Sequence, residues 1–207
     1  MDLEDRPVRD GDDAKRLICA LGRRFYELGW VSGTGGGISI KLGERVYMAP
    51  SGVQKELLTP ETIFALDVSR GGDGEVVGGP PASSGFTVSQ CRPLFLAAMK
   101  LRGAGAVIHT HSKRALLATL AFDREVVLTK LEMMKGLRGV GYDDTHAIPI
   151  IDNTAHECDL ADSLSAAIEK YPQAHAVLVK RHGMYVWGAD WREAKRHAEC
   201  YDYLLDV

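Results

Sequence analysis

Three histidines stand where apolar runs end. "GAVIHTHSK" (105–113) closes on His109 and His111, and "AVLVKRHGMYVWG" (176–188) carries His182 just before Gly183. Strand residues two apart share a face and lie about 6.6 Å apart, so His109 and His111 can aim two ring nitrogens at one point. Zinc asks for nitrogens at ~2.0–2.1 Å in a compact cage. An isolated His-x-His is better explained by one capped surface histidine and one hydrogen-bonded core histidine. A third histidine at a second strand end changes the balance, because three imidazoles with an open position form the catalytic rather than the structural arrangement. His146, His156, His175 and His197 lie at strand starts, in a polar loop and on a charged helix, and surface or packing roles are expected for them.

Glycine-rich turns lie elsewhere in the chain. "GTGGG" (33–37) precedes a strand rather than a helix, so it is not a P-loop, yet consecutive glycines let backbone N–H groups close on an anion. "PSGV" (50–53) adds a hydroxyl in a turn. "SQC" (89–91) stands near a helix start, where free N–H groups favour a phosphate. Ordinary hairpin turns explain each alone. Together, beside a candidate metal, they point to a small phosphorylated substrate. Lys55 and Lys113 are read as solvated surface cations.

Alternating elements must carry these residues. "DDAKRLICALGRRFYELGW" spaces Leu17, Ile18, Leu21, Phe25 and Leu28 helically and ends at Gly29. Two strands follow, turning near Gly43, and "LTPETIFALDVS" gives another. "TVSQCRPLFLAAMKLRG" is helical with Pro93 in its first turn. The strand ending in His111 leads into a short helix capped by Ser112. "VVLTKLEMMKGLRG" fits helix or extended chain. "HAIPIID" is a strand whose Pro149 suggests an edge or a bulge. A helix over "CDLADSLSAAIEKYP", two strands turning at Gly183, and a helix capped by Asp190 complete the chain. Its last helix has no C-cap glycine, which fits a piece of a longer protein.

The chain has 207 residues, 45% hydrophobic and 26% charged, with a formal net charge of −3. This suits one large α/β domain, residues 13–207, behind a flexible tail, 1–12. The charge offers no broad attraction for nucleic acid or an anionic membrane. No apolar run is long enough to span a bilayer. Cys19, Cys91, Cys158 and Cys200 form no CxxC pair, as expected of free thiols in a reducing cytoplasm.

"GTGGGISIK", "APSGV", "SQC", "VIHTHS" and "RHGMYVWG", in this order and spacing, resemble the class II aldolase/adducin family from about residue 13 onward. The resemblance implies a three-layer α/β/α fold around a mostly antiparallel sheet. It implies one Zn2+ per subunit on His109, His111 and His182, and a phosphate among Gly36, Gly37, Ser51, Gly52, Ser89 and Gln90. It also implies a homotetramer with active sites between subunits. Two positions depart from the family's aldolases: Cys91 stands where they carry an acidic residue, and Gly37 where they carry Asn. "APSGVQKE", "EMMKG" and "PIIDNT" are most similar to the family's dehydratases of methionine salvage. That likeness implies loss of water from a ketopentose 1-phosphate bearing a methylthio group. Glu132 would be the acid/base and Cys91 a substrate contact rather than a fourth ligand. A zinc-dependent aldolase or epimerase of the same family is the alternative, and a non-catalytic adducin-like domain the next.

Overall fold

The computed structural model describes residues 8–207. Helix α1 (Gly11–Glu27) starts on the Asp10 cap, whose side chain accepts from the Asp13 N–H. The tail expected over residues 1–12 therefore falls on 1–7, outside the described residues, and on 8–12, of which Gly11 and Asp12 already belong to α1. The other helices are α2 (Arg92–Arg102), α3 (Lys113–Ala121), α4 (Ala161–Lys170) and α5 (Trp191–Leu204). Ser112 caps α3 and Asp190 caps α5, each accepting from a backbone N–H three residues on.

The strands are β1 (Gly37–Leu42), β2 (Arg45–Met48), β3 (Phe64–Asp67), β4 (Glu75–Gly78), β5 (Ala106–Thr110), β6 (Glu125–Thr129), β7 (Thr145–Ile151), β8 (Ala176–Val179) and β9 (Gly183–Gly188). They form one sheet in the order β4-β3-β2-β1-β5-β9-β8-β7-β6. Every neighbouring pair is antiparallel except β7 with β8. The segment that fitted helix or strand divides: its first part is β6, and Glu132–Gly136 is a 3-10 turn.

Alternation along the central strands sends side chains to two separate cores. Ile38, Ile108, Leu178 and Val186 pack under α1, α3 and α5. Val107, Val177, Val179 and Trp187 pack under α2 and α4. Helices cover both faces, so β5, β8 and β9 are buried along their whole length and read as unbroken apolar runs. This is the three-layer α/β/α arrangement.

Pro149 lies in an interior strand, not at an edge. The neighbouring Ile150 N–H bonds the Arg124 carbonyl on the β6 side. Alternation therefore turns the Pro149 nitrogen towards β8, and pairing with β8 begins only at Ile150. The missing donor costs no ladder bond.

Candidate metal centre

The register brings distant segments to one end of the sheet. Thr110 pairs with Met184, Val179 with Gly183, and Gly37 with His109. The C-terminal ends of β5 and β8 therefore lie together beside the start of β1. Gly183 permits the close approach, since a Cβ there would meet the Thr110 carbonyl oxygen at 1.8 Å. Gly35 does the same for His111, whose ring atoms would lie 2.3 Å from an added Cβ.

At this end the three histidines converge through Nε2. The His109–His111 separation is 3.0 Å and the His111–His182 separation is 2.9 Å. The rings stand at 73°, 79° and 82° to one another. His109 Nδ1 donates to the Met184 carbonyl at 3.2 Å, and His182 Nδ1 lies 3.3 Å from Asn153 Oδ1. These outer bonds leave the Nε2 lone pairs of both rings facing inward, as metal-ligating histidines require. Acceptors crowded around one point repel unless a cation sits among them. Burial and the neighbouring His109 and His182 push His111 down to about 3, and burial beside His109 pushes His182 down to about 4. Both are therefore neutral and able to coordinate at pH 7. The donor set fits a divalent metal ion.

A carboxylate unmarked in the sequence also reaches this point. Glu157 Oε1 is 2.9 Å from His109 Nε2 and 3.9 Å from His182 Nε2. Tyr185 Oη donates to it, and the Tyr185 ring stacks on His109 at 4.1 Å. Burial works to raise the Glu157 carboxyl, but the His109, Tyr185 and Cys91 contacts hold it below the usual carboxylate range. Cys91, at the α2 N-cap, completes a second cluster of metal-ligand types with His109 and Glu157. Burial first, then Glu157, pushes its thiol up to about 12, so the sulfur is protonated at neutral pH.

The phosphate candidates gather at the same end. The Pro50–Val88 bridge and the Ser51 N–H to Thr87 carbonyl bond (2.8 Å) tie the Ser51-Gly52 turn to the segment holding Ser89, Gln90 and Cys91. Gly36 and Gly37 adopt φ of +73° and +147°, and Gly52 +68°. Lys55 is not the surface cation expected. It is 5% exposed, and its Nζ donates to the Thr34 and Val53 carbonyls at 2.6 and 2.8 Å.

Glu132 is not brought to the histidines. β6 runs antiparallel to β7, with Thr129 opposite Thr145, so Glu132 follows from the opposite end of the sheet. Its side chain is 75% exposed and pairs with Lys135 at 2.9 Å.

Three of the other four histidines pack in the interior, and His156 is exposed in its loop. His146 Nε2 is 2.9 Å from Tyr201 Oη; His175 and His197 stack at 4.4 Å. All three are buried.

Residues 16–207 match the family described as Class II Aldolase and Adducin N-terminal domain. The chain belongs to that family. Within the class II aldolase and adducin family, it is 50% identical over 207 residues to methylthioribulose-1-phosphate dehydratase of Mus musculus, covering 97% of this chain and 84% of that protein. It is 51% identical over 200 residues to the Gallus gallus protein of the same name, covering 93% and 81%. Among solved structures, an L-fuculose 1-phosphate aldolase superposes with a TM-score of 0.75 at 21% identity, covering 94% of this chain and 84% of that one. Escherichia coli YgbL gives 0.76 at 19% identity, covering 95% and 88%. These two share the fold of the class II aldolase family.

Proposed function

We propose that the chain is a hydro-lyase that removes water from 5-methylthioribulose 1-phosphate, giving 2,3-diketo-5-methylthiopentyl 1-phosphate, a step of methionine salvage. The convergence of three Nε2 atoms at a strand end carries the reading. The identity to dehydratases over nearly the whole chain supports this reaction over aldol cleavage or epimerisation. The intact triad speaks against an adducin-like adaptor.

His109, His111 and His182 would hold one divalent ion per subunit, which we assign as Zn2+. When bound, the ion supplies a Lewis acid that polarises the ketose carbonyl and makes the adjacent C3 proton acidic. Gly36, Gly37, Ser51, Gly52, Ser89 and Gln90 would anchor the phosphate. The protonated Cys91 thiol, beside His109 and Glu157, would contact the sugar rather than bind the ion. Glu132 would carry a proton, taking it from C3 or delivering it to the departing C4 hydroxyl. The C3–H and C4–O bonds break, water leaves, and the resulting enol tautomerises to the diketone.

Glu132 can serve this role only in the site of another copy, because its own histidines are at the other end of the sheet. The reading therefore requires active sites between subunits, and we assign the assembly as the homotetramer that the family resemblance implies. No helix among the described residues is long and apolar enough to cross a membrane. With four free cysteines, a cytoplasmic setting fits the reading, as does a single catalytic domain over residues 13–207. Diketone formation from the purified protein, abolished by a chelator and restored by zinc, is the test. A metal-loaded protein that leaves this substrate intact would reject it.

A further inference from the structure

The most unusual charge outside the triad is Lys55. Lysines are almost never buried without a partner, and an ammonium taken out of water is costly unless an anion compensates it. Lys55 forms no ion pair among the described residues. Two of its three N–H donors meet the Thr34 and Val53 carbonyls. Those carbonyls belong to different turns: Thr34 to the glycine loop, Val53 to the Ser51-Gly52 turn. The end of the side chain runs along Gly37, where an added Cβ would lie 3.3 Å from Cε. Glu157, Glu56 and Cys91 act on Lys55 only through space, and burial outweighs them, lowering its pKa.

Neutral turns can shape a phosphate site, but backbone N–H groups and hydroxyls carry no net charge to offset a dianion. Lys55 is the only buried lysine among the described residues, and it stands where the two turns meet. We infer that Lys55 is the charge-compensating residue of the phosphate site, a specificity determinant that selects the phosphorylated over the free sugar. Its two carbonyl bonds fix the ammonium where the two turns meet, and its charge is the one a phosphate seated there would offset. This rests on the phosphate site proposed above.

The test uses the metal-loaded wild type, Lys55→Met and Lys55→Arg. Inorganic phosphate binding is measured by calorimetry, and kcat/KM is measured for the ketose with and without its 1-phosphate. A charge-assisted hydrogen bond predicts roughly 10- to 100-fold weaker phosphate binding in Lys55→Met. A similar loss in kcat/KM is expected for the phosphorylated ketose alone, while Lys55→Arg keeps most of the binding. Phosphate binding within about twofold of wild type would overturn the inference. So would equal losses on both ketoses, because a mere pin between two turns would affect them alike. Should Lys55→Met fail to fold, the Nζ ammonium resonance of Lys55 in the wild type decides: it must shift as phosphate is titrated, and an unmoved signal overturns the inference. A wild type that binds phosphate through Lys55 yet dehydrates nothing would leave this inference standing and reject the proposed substrate.

Discussion

Glu132 and His111 lie at opposite ends of one sheet. β6 delivers Glu132 past Thr129, opposite Thr145, whereas His111 follows the end of β5, where Thr110 pairs with Met184. The proton role proposed for Glu132 and the metal role proposed for His111 therefore require a contact between copies. His111→Ala and Glu132→Gln are each expected to be inactive. Co-refolded in equal amounts, they should regain about a quarter of wild-type activity, as random mixing unites an intact triad with an intact Glu132. No recovery in mixed oligomers of confirmed composition would place the proton carrier elsewhere, with Glu157 the next residue to test.

Removing the ion should weaken the fold as well as the chemistry. His111 Nε2 lies 3.0 Å from that of His109 and 2.9 Å from that of His182, and these acceptors repel once no cation holds them. An ion at 100 times its Kd adds about 2.7 kcal/mol of stability. For a chain of this length that is roughly 5–10 °C in Tm. Chelation should lower Tm by this much in the wild type and leave His182→Ala unchanged. Equal shifts in both proteins would deny the triad its role.

Thr119 supports the turn that presents His182. Its Oγ1 accepts the Arg181 N–H at 2.9 Å and donates to the Leu116 carbonyl at 2.7 Å. Arg181 sits at φ +54°, a conformation that costs a non-glycine residue roughly 1 kcal/mol. Thr119→Val leaves that N–H without a partner, at about 1–3 kcal/mol. Part of the loss should appear as weaker metal binding, about tenfold, seen by competition with a chromophoric chelator. Unchanged metal affinity would make Thr119 a stability residue only.

Acid should destabilise the protein through histidines remote from the metal. Burial, above all, lowers His146 and His197 to about 4, whereas the unfolded chain titrates near 6.5. Between these values the unfolded state holds more protons, so stability falls as pH drops from about 6.5 to about 4 and levels off below that. Each histidine steepens the slope by up to about 1.4 kcal/mol per pH unit. His197→Gln should be less stable at pH 7 yet lose less on acidification, as followed by urea denaturation. An unaltered slope would mean that His197 is already charged in the fold.

What the sequence disclosed follows from what period and punctuation record. His109, His111 and His182 were legible because each closes an apolar run, and a strand end is where a sheet can present a ligand. The division into two cores was not legible, because β5, β8 and β9 are buried on both faces and read as unbroken apolar runs. Glu157 was not, because "DNTAHECDL" is polar without period; only the fold carries that stretch to Tyr185 and His109. Lys55 misled for a different reason. Lysine is so commonly solvated that only packing reveals an exception. The role of Glu132 came from family likeness alone, and its distance from the triad follows from strand direction, which composition does not record.

β5 lies at the middle of the sheet, yet neither of its partners is near it in sequence: Gly37 meets His109 on one side, and Met184 meets Thr110 on the other. Both pairings close long loops, the slow kind of step in folding. The three imidazoles therefore come together only after most of the chain has found its place. An ion that waits for that geometry does little to hasten refolding and chiefly retards unfolding, so metal supply would govern how long each molecule lasts more than how quickly it forms.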